Sequence, residues 1–436
     1  MKVKNNFDGI SVIIPAFGDI KTVSNSVWSC MKQQLGKLNE PHPKLEIIIM
    51  NDDIDNPDCY DEFLSDEYKK FYDSENITVK IIHNKDYMTD DFKLYQGGSR
   101  LIGATEIAKY TFVLFLDSDD ILAPNCVRKY WDIIQDELVK ENNPEKKEEF
   151  KKIACIGAIF RSFDSHHYQN DIGKEVFSIW VQGRCWNSDF MIEHNITDDT
   201  IYTNRVNRKQ GEDYLFVNIF DYCCEHEENE WRRIQTKDFI CGFWIPNYDS
   251  LSRNDPYYGQ HLAGSTMNSS NCIFDFMEKY NKEHNIDKEQ DEFMKRKLLN
   301  MNIYAFFNLY DFIWVVGATN DYPIDENDTR KPYKPLEQDW YLLRDNIKKL
   351  RQKLLDIYYD EIQDNDIVNE YWGVLNRSDA RIHNTFEGNF FDYMRNTPRW
   401  FDYDYDQMIE EAHKLKFDGL NCLQSKQVQA WKRRHN

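Results

Sequence analysis

Four short apolar runs separated by helical patterns occupy the first 116 residues, and they restrict the fold more than any other feature of the chain. Ile10 to Ile14, Leu45 to Met50, Val79 to Ile82 and Phe112 to Leu116 are nearly continuous apolar stretches rich in β-branched residues. Runs of that kind suit strands buried on both faces. Between them, Asp19 to Gln34 carries Val23, Val27, Cys30 and Met31 at helical spacing. Tyr60 to Tyr72 reads as a second helix and Ser99 to Ala108 as a third. The alternation predicts an α/β fold, a parallel sheet with helices on both faces.

A helix follows Pro124, and Glu141 to Lys152 reads as an exposed charged loop. Further strands are expected at Ala154 to Phe160, Phe177 to Val181 and Phe239 to Ile245. Tyr214, Leu215, Phe216, Ile219 and Phe220 fit a buried helix that begins after Gly211. Beyond about Met267 the strand signal ends, and Phe293 to Val316 and Leu336 to Tyr359 are long helical patterns. In the second of these, Leu343, Ile347, Leu350, Leu354 and Ile357 form a stripe suited to packing within the chain. With 436 residues, more than one ordinary domain is expected. The reading is residues 1–266 as one α/β domain and 267–436 as a helical region for packing or recognition.

The net charge of -21 creates a field that repels phosphate backbones and anionic lipid, which disfavours a nucleic-acid partner. Ten scattered cysteines make no disulfide framework and point to reduced thiols. Met1 to Asp8 is polar and has no signal-peptide character, and the apolar run Phe312 to Ala318 is far too short to span a bilayer. A cytoplasmic protein with at most peripheral membrane contact is expected, in an oligomeric state that the sequence does not fix.

The strongest chemical signal is Asp117-Ser118-Asp119-Asp120 at the end of an apolar strand. Ligands of open α/β sheets bind outside the carboxyl ends of the strands, so carboxylates placed there face the crevice. Two of them one residue apart can hold Mn²⁺ or Mg²⁺ through oxygen, leaving positions for diphosphate oxygens. The plain alternative is a solvated turn. Asp213 follows Gly211 at a helix start, where an aspartate commonly caps the helix or meets its dipole, and that placement tends to lower its pKa. Cys223, Cys224 and His226 lack a second Cys/His pair at zinc-site spacing and read as helix-end residues. Trp180, Trp186 and Tyr202 suit either sugar stacking or the core, and Lys432-Arg433-Arg434 reads as a basic tail.

Several motifs in fixed order resemble family 2 glycosyltransferases. Ile10 to Phe17 resembles their first strand, and Ile47 to Asp53 their second strand with its acidic end. Gly98-Ser99-Arg100 with Gly103, then Leu114 to Asp120, resembles their helix and metal-binding strand, and Gly211-Glu212-Asp213 the motif supplying the base. The resemblance covers about Ser11 to Ser265. It implies a GT-A nucleotide-diphospho-sugar transferase domain, a Rossmann-like mixed sheet, followed by the α-helical C-terminal region. The implied activity is inverting transfer from a nucleotide diphosphate sugar, UDP-linked, to an acceptor hydroxyl.

By the same resemblance Pro15, Asp52, Asp53, Arg100 and Asp117 would lie on the donor. Asp117, Asp119 and His261 would serve the metal, with Asp119 the principal ligand. Asp213 would be the general base and Glu212 its neighbour on the acceptor side. Gly18, Ile54, Asp55 and Leu101 depart from the family pattern around the donor pocket, which leaves nucleotide and sugar identity open.

Two rivals stand beside this reading. A nucleotidyltransferase would need a glycine-rich basic loop after the first strand, and Pro15-Ala16-Phe17-Gly18-Asp19 is not one. A non-catalytic nucleotide-sugar-binding protein would have little use for both acidic motifs. Among acceptors a polysaccharide or other glycan is favoured, with a hydroxylated nucleic-acid base as the alternative.

Overall fold

The structure is a computed structural model that describes residues 2–18, 20–37, 40–72, 75–88, 93–141, 151–163, 169–172, 181–202, 211–245, 258–287, 291–320, 336–362 and 398–414. The chain divides into two compact units, Met1–Asn247 and Tyr248–Asn436.

In the first unit β1 (Gly9–Ala16) lies between β2 (Lys44–Asn51) and β4 (Phe112–Phe115), parallel to both, and β3 (Ile77–His83) extends the parallel set beyond β2. Ile10 is level with Leu45 on one side and Phe112 on the other. Three of the four apolar runs thus lengthen by a residue or more, and the fourth ends one residue sooner. Past β4 the sheet turns mixed. β8 (Arg184–Asn187) runs antiparallel between β4 and β6 (Lys152–Phe163), and β9 (Trp231–Trp244) runs parallel to β6. β5 (Ile121–Leu122) closes the order 3-2-1-4-8-6-9-5, and β7 (Gln169–Ile172) pairs with β6 off that path. Register shifts between β6 and β9 mark bulges, which bend and twist long strands.

One face of the sheet is covered by α1 (Ile20–Met31) and α3 (Cys126–Glu141). Val23, Val27, Cys30, Cys126, Val127 and Tyr130 pack there against Ile10, Val12 and Ile14. Ile13 alternates to the other face and meets α2 (Tyr95–Ile102) at Gly103, where an added Cβ would come within 2.8 Å of its Cγ2. That face also carries an aromatic cluster of Phe115, Trp186, Phe190, Phe216 and Phe220. Phe190 comes from α4 (Ser188–Glu193), and Phe216 and Phe220 from α5 (Glu212–His226).

Three local departures from the sequence expectations have physical causes. Tyr60 to Tyr72 is no single helix. It is a 3₁₀ turn, Asp61–Leu64, and a one-turn helix, Asp66–Lys69, separated at Ser65, which adopts an extended conformation and accepts from the Tyr68 N–H as an N-cap. The helix expected over Ser99 to Ala108 begins four residues earlier and ends in a π turn, Gly103–Ile107. The strand expected at Phe177 to Val181 lies outside the described residues except for Val181, which is buried and not in a strand.

The second unit is helical: α6 (Tyr258–His284), α7 (Glu292–Asn320), α8 (Glu337–Ile362), α9 (Pro398–Asp402) and α10 (Tyr405–Lys414). The units part at Asn247, and α6 runs unbroken through position 266, where the sequence reading placed its boundary. Leu343, Ile347, Leu350 and Leu354 are buried, so this stripe of α8 packs within the unit. Asn271 on α6 donates to both the carbonyl and the side chain of Asn346, which fixes how the two helices meet. Among the described residues no helix is long and apolar enough to cross a membrane.

Candidate active site

Of the donor-side residues named from the sequence, Pro15, Asp52, Asp53 and Asp117 sit at the carboxyl end of a parallel strand or just past it, and Arg100 reaches the site from helix α2. Pro15 is the second-last residue of β1, Asp52 and Asp53 follow β2, and Asp117 follows β4. β1 is where the chain order reverses, with β2 and β3 on one side and β4 on the other, the switch point at which open α/β sheets form a crevice. Asp52 accepts from Asn84 Nδ2 at 3.0 Å, and the same amide donates to Ser99 Oγ at 2.7 Å. Burial pushes the Asp52 carboxyl above its ordinary value, and the Asn84 hydrogen bond partly counters this. Asp53 is set by turn contacts, its N–H donating to Asn51 Oδ1 and its carboxylate accepting from Asn56.

The centre of the site is Arg100, 3% exposed on α2. Its Nη2 donates to Asp117 Oδ1 at 2.5 Å, and its Nη1 to Asp213 Oδ1 at 2.5 Å and Glu212 Oε1 at 3.1 Å. Burial works against the guanidinium charge, but Asp213, Asp117 and Glu212 more than offset it and keep Arg100 protonated. The helix comes this close because it has no side chains in the way. A Cβ on Gly97 would lie 2.9 Å from both Glu212 Cβ and Tyr202 Cζ, and one on Gly98 would lie 2.9 Å from Asp198 Oδ1.

Glu212 and Asp213 open α5 after Gly211, whose φ of 73° is the left-handed conformation that glycine takes at no steric cost. The sequence reading had the helix dipole lowering the Asp213 pKa, and the structure reverses that. Burial pushes Asp213 up to about 6, with Arg100 opposing, and pushes Glu212 up to about 8, with Asp213 adding to the rise. Glu212 is enclosed by Arg100 and Gly97, and its carbonyl accepts from the Tyr202 hydroxyl at 3.4 Å. Its side chain therefore supports the base candidate from within the protein. A carboxyl near 6 is a better proton acceptor at neutral pH than one near 4, since general-base strength follows pKa.

Two further residues at the site were not named from the sequence. Gln182 donates to Asp117 Oδ2 at 2.5 Å, and Asn84 ties the Asp52 turn to α2 through Ser99. For Asn84 a hint existed, since a polar residue directly after an apolar strand run occupies a crevice position.

Whether the acidic turn suits a divalent cation can be judged from its oxygens. Asp120 is fully buried, accepts from the Ile245 N–H at 3.1 Å through Oδ1, and leaves Oδ2 with no hydrogen-bond partner. Burial, with Asp117 and Asp119 adding, pushes it up to about 9. Asp119 is half-buried in the same turn. Surplus carboxylate charge on hard oxygen suits Mn²⁺ or Mg²⁺. No group of three or more His, Cys, Asp or Glu among the described residues is arranged to hold a metal. A phosphate-assisted site needs only one or two carboxylates, so the residues fit a metal that shares its coordination with a diphosphate.

His261 is in α6 of the second unit, and its side chain lies outside the described residues, as does Trp180. Trp186 and Tyr202 are buried core residues. Cys223 and Cys224 are buried free thiols.

Residues 11–140 match the profile of the family described as Glycosyl transferase family 2, a stretch that contains β1 to β4, Arg100 and the acidic turn. This stretch belongs to glycosyl transferase family 2. The family 2 motifs read between Ser11 and Asp120 fall within it, Gly211-Glu212-Asp213 lies outside it, and the fold is the GT-A mixed sheet followed by a helical region. Among solved structures, the chain is similar to TarS from S. aureus at 14% identity and a TM-score of 0.35, covering 80% of this chain and 54% of that one. It thus spans about half the length of that TarS chain. TarS 1-349 in complex with UDP-GlcNAc matches at 12% identity and a TM-score of 0.35, covering 81% of this chain and 92% of that one. GalNAc-T7 with UDP, GalNAc and Mn²⁺ matches at 13% identity and a TM-score of 0.37, covering 73% and 59%. At TM-scores this low the likenesses assign neither residue nor ligand. No curated protein matches the sequence.

Proposed function

We propose that this family 2 glycosyltransferase transfers a sugar, with inversion, from a UDP-linked donor to a hydroxyl of a glycan acceptor, using Mn²⁺ or Mg²⁺. The observation that carries the reading is that one buried guanidinium joins Asp117, at the end of the central strand β4, to Asp213, at the start of α5. A donor-side carboxylate and a base candidate are thereby held on opposite sides of Arg100. Asp52, Asp53 and Pro15 line the crevice where the nucleoside would lie, and Asp119, with Asp117 supporting the donor, is where the metal would be held. A metal there supplies charge neutralisation for the departing diphosphate. Asp213 removes the proton of the attacking hydroxyl, with Arg100 and Glu212 holding its carboxylate in place while burial keeps its pKa up at about 6. Nucleic acid as acceptor is disfavoured by the net charge of -21.

The test is Asp213→Asn, which keeps the shape and cannot take the proton. Transfer should fall by roughly 10²–10⁴-fold, the usual worth of a general base, and the wild-type product should have the opposite anomeric configuration to the donor. Near-normal turnover in the variant would remove Asp213 as base. Retained configuration would remove the single displacement. Undiminished transfer by Asp119→Ala, or after exhaustive chelation, would remove the metal.

A further inference from the structure

Both oxygens of Asp117 are already engaged, Oδ1 by Arg100 Nη2 and Oδ2 by Gln182 Nε2, each at 2.5 Å. Short N–H contacts to a carboxylate are its stronger kind of hydrogen bond, and by drawing charge from each oxygen and filling space beside it they compete with a cation for Asp117. Gln182 is itself fixed in place by its neighbours. The Val181 carbonyl accepts from Trp186 Nε1 at 3.2 Å, and the Gly183 carbonyl accepts from the Ala158 N–H at 2.8 Å and from the Tyr130 hydroxyl at 3.3 Å. Gly183 has a φ of +80°, and a Cβ there would come within 3.1 Å of the Ala158 carbonyl oxygen, so this turn is built for one conformation. A rigid turn therefore presents an amide to a carboxylate in the donor crevice.

We propose that Gln182 is a positioning residue that keeps Asp117 from ligating metal in the free protein, so that divalent metal enters together with the nucleoside diphosphate. This rests on the reading of the site as a metal-assisted nucleotide-sugar site. Asp119 alone gives a weak attachment, and diphosphate oxygens complete the coordination. Metal and nucleotide then bind with positive coupling, and by linkage each strengthens the other by the same factor.

The experiment titrates Mn²⁺ into the full chain, with and without UDP, and reads free Mn²⁺ by electron paramagnetic resonance. Wild type should hold Mn²⁺ weakly alone and more tightly with UDP. Gln182→Met keeps the length and loses the donor. It should bind Mn²⁺ alone about tenfold more tightly, the equivalent of one charge-assisted hydrogen bond no longer competing for Asp117. The gain that UDP confers should shrink by the same factor. Gln182→Glu adds an acceptor beside Asp117 and should move metal affinity in the same direction. A damaged fold would weaken binding, so a tighter metal site in either variant separates positioning from a merely structural role. If wild type binds Mn²⁺ with UDP while both variants bind Mn²⁺ alone no more tightly than wild type, the inference is overturned and the site reading survives. If wild type takes up no Mn²⁺ even with UDP, the site reading itself fails and the inference with it.

Discussion

Arg100 answers three carboxylates with one charge, so protonation in the site is shared. Glu212 and Asp213 titrate as a pair, the lower step near 6 and the upper near 8. As the proposed general base Asp213 must be ionised, so kcat/KM should rise as pH increases through about 6, whereas an ordinary carboxyl would place that limb near 4. A pH profile of kcat/KM checks this, and an acid limb near 4 would show that burial does not control the base. Arg100→Met should push the limb to higher pH, because the countercharge that favours the ionised form is gone. Asp120 permits a stability test. With its folded pKa raised to about 9, it keeps its proton in the folded chain and loses it in the unfolded chain from about pH 4 upward, so folding becomes less favourable as pH rises through that window. Asp120→Asn removes the titration while its side-chain oxygen can still accept from the Ile245 N–H. In metal-free buffer its Tm advantage over wild type should grow from pH 5 to pH 9, and a constant difference would show that Asp120 is ionised in the fold.

Helix α2 illustrates how element packing can override local preference. By propensity alone Gly97→Ala should stabilise a helix by about 1 kcal/mol. Here the new methyl group meets Glu212 Cβ and Tyr202 Cζ at 2.9 Å, and overpacking of this kind costs about 1–3 kcal/mol. The variant should therefore melt lower than wild type and lose transfer through displaced Glu212, as thermal melting and a transfer assay would show. The parallel strands could be read from sequence because burial on both faces demands apolar, β-branched residues whatever the tertiary context. β8 could not. Its Arg-Cys-Trp-Asn has no strand pattern, and its burial depends on the Arg184 ion pair with Asp221 at 2.7 Å and on Asn187 capping α4. The same limit hid Gln182 and reversed the expected direction for Asp213. Motif order picked out Arg100, Asp117, Glu212 and Asp213, which the structure brings together, while partners and burial come from segments distant in the chain.

At the scale of the whole molecule, the proposed donor, metal and base residues other than His261 belong to the unit Met1–Asn247. A fragment ending at Asn247 should keep UDP·Mn²⁺ binding measurable by calorimetry if that unit is sufficient. His261→Ala in the full chain should then leave the same affinity intact, and a loss in either would make α6 part of the metal site. The strand order also has a consequence in time. During synthesis, β1 to β4 and Arg100 leave the ribosome early and can form the nucleotide half of the crevice from nearby segments. The sheet cannot continue past β4 until β8 arrives, and Ile121 on β5 waits for Phe243 on β9. Asp213 emerges only after β8. A nascent chain therefore owns its proposed donor half before its proposed base, and pairings that distant make closure of the mixed half the slow step of folding.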